Sequence, residues 1–162
     1  MKTVSLTIAI SALIALSTYA QDTVKQPSIT TSLAVEIAQS ALSECSADGY
    51  NVSAAVTDRA GILLAFVRAE NAGPHTVEAS RAKAFTAASS RNATSAIANN
   101  VANNPSAAGL ADIPGFLVLA GGVPIRVGND IIAAIGVAGA PGGNLDEACA
   151  NKALEGLSAH LK

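Results

Sequence analysis

Tryptophan is absent from this chain of 162 residues, and there are only two tyrosines, three phenylalanines, two histidines and two cysteines. Each scarcity excludes something. The histidines and cysteines, His75, His160, Cys45 and Cys149, are too few and too scattered for a zinc cluster. No Gly-x-Ser-x-Gly, His-Glu-x-x-His, phosphate-loop or dinucleotide-binding fingerprint occurs, so no familiar catalytic constellation declares itself. Charged residues make up 14% of the chain without long runs of either sign. Nucleic acid is therefore not an expected partner, because affinity for phosphate backbones needs clustered positive charge.

What the chain does have begins at its first residues. Lys2 precedes an apolar run from Val4 to Leu16, and small residues then lead to Thr18-Tyr19-Ala20 before polar Gln21-Asp22. That layout predicts a signal peptide over 1–20, with a secreted or periplasmic product and no membrane span after processing. Removal of 20 from 162 residues leaves 142, the size of one domain. Removal of Lys2 leaves nine basic against twelve acidic residues, a net charge of −3. It also removes Met1, the only methionine, and with it any methionine ligand.

Half of the sequence is apolar, but most of that is alanine and other small residues. Thin layers follow, with some apolar surface left for a partner subunit, so a homo-oligomer is expected. Residues 21–29 read as a flexible lead, and 30–162 as the single domain. Thr30-Thr31-Ser32 caps a helix with Leu33, Ile37, Ala41 and Cys45 at helical spacing, closed by Asp48-Gly49. Strand patterns at 51–57 and 62–68, joined through Asp58-Arg59-Ala60-Gly61, predict a hairpin. Residues 76–88 have helical composition, with Ala79, Ala82, Phe85 and Ala88 or Ser89 as the expected buried stripe. A weaker helix spans 92–104 and stops at Pro105. Strands follow at 116–119, 124–127 and 131–137, and a last helix opens at Asn144 with Glu147 three residues on as a capping box. The fold class is α+β, a five-stranded antiparallel sheet with the first and last helices on one face.

Four features invite a chemical reading. Gly139 to Gly143 precedes a helix N-terminus, but Asp146 and Glu147 in the first turn disfavour an anion there. Cys45 and Cys149 lie on helices expected to be neighbours; an oxidised pair and two separate buried thiols both remain open. Asn51-Val-Ser53 and Asn92-Ala-Thr94 fit the glycosylation pattern, which matters only in a eukaryotic source. His75 stands in a loop before a helix, with Arg68 and Lys83 in the neighbourhood. An imidazole among cations suits a metal-centred, carboxylate-bearing ligand such as haem, although a solvated or capping histidine fits the same position. His160 near the carboxyl end reads as a cation at a helix C-terminus. Glu70, Glu78 and Arg81 read as solvated or ion-paired groups.

Several segments together resemble a known family. They are Val56 to Arg68, Glu70-Asn71-Ala72, Ser80-x-x-Lys83-Ala84-x-Thr86-Ala87, Gly121-Gly122-Val-Pro124-Ile, Ile135-Gly136-Val137-x-Gly139 and Asp146-Glu147-x-Cys149-Ala150. In this order they resemble the GlcG/HbpS-type haem-binding family, which includes a domain attached to PduO-type corrinoid adenosyltransferases and a protein encoded with glycolate utilisation. The resemblance implies a profilin-like α/β/α domain, commonly dimeric or built into larger rings, with haem or a related tetrapyrrole as the small-molecule partner. It implies a pocket between the Glu70 loop and the following helix, where His75, or Thr76, approaches the iron while Arg68 and Lys83 face propionates. The loop departs from the usual Asp-Gly-Ala form by having Glu70-Asn71-Ala72. An exported haem-binding or haem-sensing protein is the expected function. An enzyme of haem breakdown or of small organic acids, and a ligand-free partner-binding oligomer, are its rivals.

Overall fold

A computed structural model describes residues 23–162; the expected signal peptide lies outside them. Residues 23–30 form no helix or strand, yet Ile29 is buried in the core. Helix α1 (Thr31–Ala47) starts where the Thr30 hydroxyl accepts the Leu33 N–H, and Asp48 caps it at the far end. Its buried residues, Ala34, Ile37, Ala38, Ala41 and Cys45, recur every three or four positions.

The hairpin of β1 (Ser53–Asp58) and β2 (Leu63–Arg68) forms as the sequence predicts. The Asp58 carboxylate holds its turn by accepting the Ala60 and Ile62 N–H groups at 2.8 and 2.9 Å. Gly61 sits at φ +83°, a conformation natural to glycine. Helices α2 (His75–Ser90) and α3 (Thr94–Asn103) follow, and a 3-10 segment then begins at Pro105. Strands β3 (Gly122–Val127) and β4 (Asp130–Ala138) complete the sheet before α4 (Gly143–Gly156).

The sheet has four strands, not five, in the antiparallel order β2-β1-β4-β3. Residues 116–119 are not a strand. The Leu117 N–H donates to the Thr86 hydroxyl on α2, and the Phe116 and Leu119 N–H groups turn back to the Ile113 and Leu117 carbonyls, so these donors are spent outside any ladder. Pro124 also lacks a donor in the middle of β3, which suits that strand to the sheet's edge.

Both faces of the sheet are covered, and the period of two in β1 and β4 divides them. Val52, Ala54, Val56, Ala133, Ile135 and Val137 join the core under α1 and α4, the two helices expected on one face. Ser53, Ala55, Thr57, Ala134 and Gly136 alternate with them and lie under α2. There the packing is backbone against backbone. A Cβ on Gly136 would run into the Ser80 carbonyl oxygen, and one on Gly122 into that of Lys83. Cys45 and Cys149 are bridged, with Cα atoms 5.3 Å apart, tying the end of α1 to the second turn of α4.

Candidate functional site

Close approach of α2 to the sheet decides which of its stripes is buried. The hydrophobic pattern points to Ala79, Ala82, Phe85 and Ala88 or Ser89, but of these only Ala88 is buried; Ala79, Ala82 and Phe85 are partly exposed and Ser89 is exposed. The stripe against the sheet is instead Thr76, Ser80, Lys83, Ala84 and Ala87. It is polar, and it tolerates burial because its polar atoms are satisfied. The Thr76 hydroxyl lies 2.7 Å from that of Ser53 and donates to the Gly73 carbonyl, while Ser80 donates to Val77.

Lys83 is the most demanding member of this stripe. Its Nζ donates to Asp146 Oδ2 at 2.7 Å and to the Val137 carbonyl at 3.0 Å. Asp146 Oδ1 accepts the Ala140 N–H at 2.9 Å. Burial pushes the Asp146 carboxyl above its ordinary 3.8, against the opposing pull of Lys83 and of the Ala140 and Gly139 amides. Asp146 thus fills the glycine-rich loop from inside the protein. The capping box expected at Asn144 is not formed: Gly142 is the N-cap without a side-chain bond. Glu147 reaches elsewhere, accepting from the Ser95 hydroxyl and the Gly121 N–H.

The outer side of α2 carries Ala82 and Phe85 beside the exposed Glu78 and Arg81. A cleft of about 280 Å³ opens there, lined by Thr57, Gly61, Leu63, Glu78, Arg81, Ala82, Phe85, Pro114 and Gly115. Phe85 is its back wall. Its ring is held between the Gly61 and Gly115 turns, where added Cβ atoms would approach ring carbons to 2.7 and 3.2 Å. Behind it, Phe116 meets it edge to face, with ring centres 6.1 Å apart at 78°. Leu63 on one rim, its neighbour Ile62, and Ile113 beyond Pro114 leave bulky apolar surface beside the opening. Glu78 and Arg81 supply its charge, paired at 3.1 Å across one helical turn.

Of the residues singled out in the sequence, His75 is exposed and is the first residue of α2. Its ring lies over Gly73, whose missing side chain makes the room: a Cβ there would sit 2.8 Å from His75 Cε1. His75, Glu78, Ala82 and Phe85 follow one another at i, i+3, i+7 and i+10, so the histidine heads the helix face that lines the cleft. Arg68 is exposed and bonds the Ala72 carbonyl, closing the loop before α2. It pairs in register with Ser53, the partner of Thr76, so these residues share one corner of the domain. Lys83 does not join them. It lies two turns beyond Thr76 on the buried stripe, 1% exposed and committed to Asp146, an arrangement unlike that of a surface propionate ligand. Thr76 has its hydroxyl buried and doubly bonded.

Sequence reasoning missed the cleft itself. The available signal was the pairing of an apolar stripe on α2 with the Pro114-Gly115 turn, but without the fold nothing indicated that the stripe faced outward. Among the described residues, no helix is long and apolar enough to cross a membrane.

Comparison with known proteins gives this architecture its relatives. HbpS from Streptomyces reticuli, solved as a double mutant, superposes with a TM-score of 0.79 at 37% identity, covering 91% of this chain and 99% of that one. A further structure of HbpS gives 0.80 at 39% identity, over 88% of this chain and 99% of the other. Protein GlcG of Escherichia coli strain K12 is 37% identical over 94 residues, which are 58% of this chain and 69% of GlcG. The PduOC:heme complex shares the fold, with a TM-score of 0.68 at 20% identity over 74% of this chain and 88% of that one. Residues 29–155 match the family described as haem degrading protein HbpS-like, and with this span, these relatives and this fold the chain belongs to the HbpS-like family.

Proposed function

We propose that this is an exported haem- or tetrapyrrole-binding protein, acting in haem binding or sensing, and that the cleft on the outer face of α2 receives the macrocycle. One observation carries the proposal: α2 presents Ala82 and Phe85 to an open cleft on its outer face, and His75 stands one helical turn before Glu78 of the cleft lining. An outward apolar stripe with an aromatic back wall suits a flat hydrophobic ligand. A cleft of about 280 Å³ takes one edge of such a ring and leaves the remainder against the Leu63 and Ile113 rims, or against a second copy of the chain.

The donor set fits haem. His75 is an exposed imidazole one helical turn before Glu78, with its ring nitrogens available to an iron atom. Bound haem would supply the redox chemistry; His75 would hold its iron, the Phe85 wall would exclude water from one edge, and Glu78 and Arg81 would place charge at the mouth. The buried Cys45–Cys149 bridge supports export, because disulfides persist in oxidising compartments.

A second reading, breakdown of the bound haem, is favoured by the family's description as haem degrading. Titration of the purified protein with haemin tests the first reading. A saturable Soret shift that changes in His75→Ala is expected, and no saturable shift would sink it. Loss of the Soret band under peroxide, faster than for free haemin and with identified products, marks the second.

A further inference from the structure

Arg68, Arg81 and Lys83 stand on or just before the N-terminal half of α2, and the geometry points to Arg81 as the one that selects for an acidic group on the ligand. This inference rests on the reading of the cleft as the ligand site. The other two are already committed. Arg68 is bonded to the Ala72 carbonyl, and Lys83 is buried against Asp146 and Val137. Among the described residues, Arg81 is the only cation lining the cleft, and its side chain is 49% exposed.

Its present partner is easily shared. Arg81 touches Glu78 through Nη1 alone, at 3.1 and 3.4 Å to the two carboxylate oxygens. Among the described residues, Nε and Nη2 have no hydrogen-bond partner. A guanidinium offers five N–H donors in a planar fork matched to a carboxylate, so the unused edge accepts a second acid without loss of the first bond. Exposed pairs three residues apart are weak, so exchange is open as well. The ligand class follows from the two walls together: a flat apolar molecule carrying a carboxylate, its ring against Ala82 and Phe85 and its acid on Arg81. Glu78 has the opposite effect, since its negative charge at the same mouth opposes an anionic group. The two residues thereby set how strongly the cleft discriminates an acid from its ester.

Haemin and haemin dimethyl ester separate these effects, because they share ring and iron and differ only in the acid groups. Both are titrated under identical solvent conditions into the wild type, Arg81→Gln and Glu78→Gln, with unfolding midpoints as a fold control. The wild type is expected to bind the acid about tenfold more tightly than the ester, a typical effect of one charge-assisted bond. Arg81→Gln is expected to remove that preference by weakening acid binding far more than ester binding, whereas Glu78→Gln strengthens acid binding several-fold. If Arg81→Gln leaves the acid preference intact, or weakens acid and ester equally, the assignment is overturned while the cleft survives as the site. If neither compound binds the wild type saturably, the haem reading fails and takes the assignment with it.

Discussion

The Nζ of Lys83 and the Oδ2 of Asp146 lie 2.7 Å apart, with side chains 1% and 4% exposed. The contact joins α2, on one face of the sheet, to the first turn of α4, and the Val137 carbonyl of β4 completes it. Gly121 covers the ammonium: a Cβ there would fall 2.8 Å from Nζ. With the buried nitrogen and both carboxylate oxygens each hydrogen-bonded, this pair fixes the helix whose outer face forms the cleft.

Removal of one partner leaves the other charged and buried. Lys83→Ala or Asp146→Ala is expected to cost about 3–5 kcal/mol, whereas an apolar replacement of both, Lys83→Met with Asp146→Leu, should cost far less than the sum of the two. Denaturant unfolding of the four proteins checks this as a double-mutant cycle. Additive losses would show that the contact couples nothing.

The same pair gives stability an unusual pH dependence. Asp146 has a folded-state pKa raised above 3.8, mainly by burial. In the interval from 3.8 up to that raised value, the folded state binds more protons than the unfolded state, so this group's contribution falls as pH rises. An aspartate held below its ordinary value gives the opposite slope. The difference in unfolding free energy between the wild type and the Lys83→Met, Asp146→Leu double variant should therefore decrease as pH climbs from 3.8. An increase across that interval contradicts the direction of the shift.

The Cys45–Cys149 bridge closes a sequence separation of 104 residues around nearly the whole domain. On the chain-entropy account, a loop of this length adds about 4–5 kcal/mol by restricting the unfolded state. Both sulfurs belong to residues at most 1% exposed, so thiol reagents reach them only when α1 or α4 opens. A reducing agent should lower the denaturant midpoint strongly, and loss of the bridge under native conditions should be slower than for an exposed disulfide by the rarity of local opening. Reduction of the native protein as fast as that of the unfolded chain would place the bridge within direct reach of solvent.

Much of this architecture was legible in the sequence, and the failures share one physical cause. The helix at Thr30, the Asp58–Gly61 hairpin, the β4 run and the adjacency of α1 and α4 all follow from caps, turn residues and period. Those signals are local. The run at 116–119 has strand composition, but the Thr86 hydroxyl takes its donor, a contact 31 residues away. The stripe on α2 was misassigned for a similar reason. Ser53, Asp146 and the absent side chains of Gly122 and Gly136 make the polar side the better fit to the sheet, and none of them lies on the helix. His75 was legible as a candidate because it stands alone among few histidines. Arg81 and Phe85 were not, since they acquire meaning only beside Gly61 and Gly115, which the fold delivers.

Phe85 offers the sharpest separation of site from scaffold. Its ring is only partly buried, so Phe85→Ala should cost clearly less stability than the 3–5 kcal/mol typical of a fully buried phenylalanine. The same change removes the back wall of the cleft and the edge contact with Phe116. Loss of that apolar surface is expected to weaken haemin binding by about tenfold or more, as burial of a large apolar side chain contributes ~1.5–3 kcal/mol. His75→Ala should instead alter the position of the Soret band, because it removes a nitrogen from the iron and leaves the wall intact. Calorimetric midpoints and haemin titrations of the two variants distinguish these effects. If Phe85→Ala unfolds the domain, or binds haemin as the wild type does, the ring belongs to the scaffold and the macrocycle lies elsewhere.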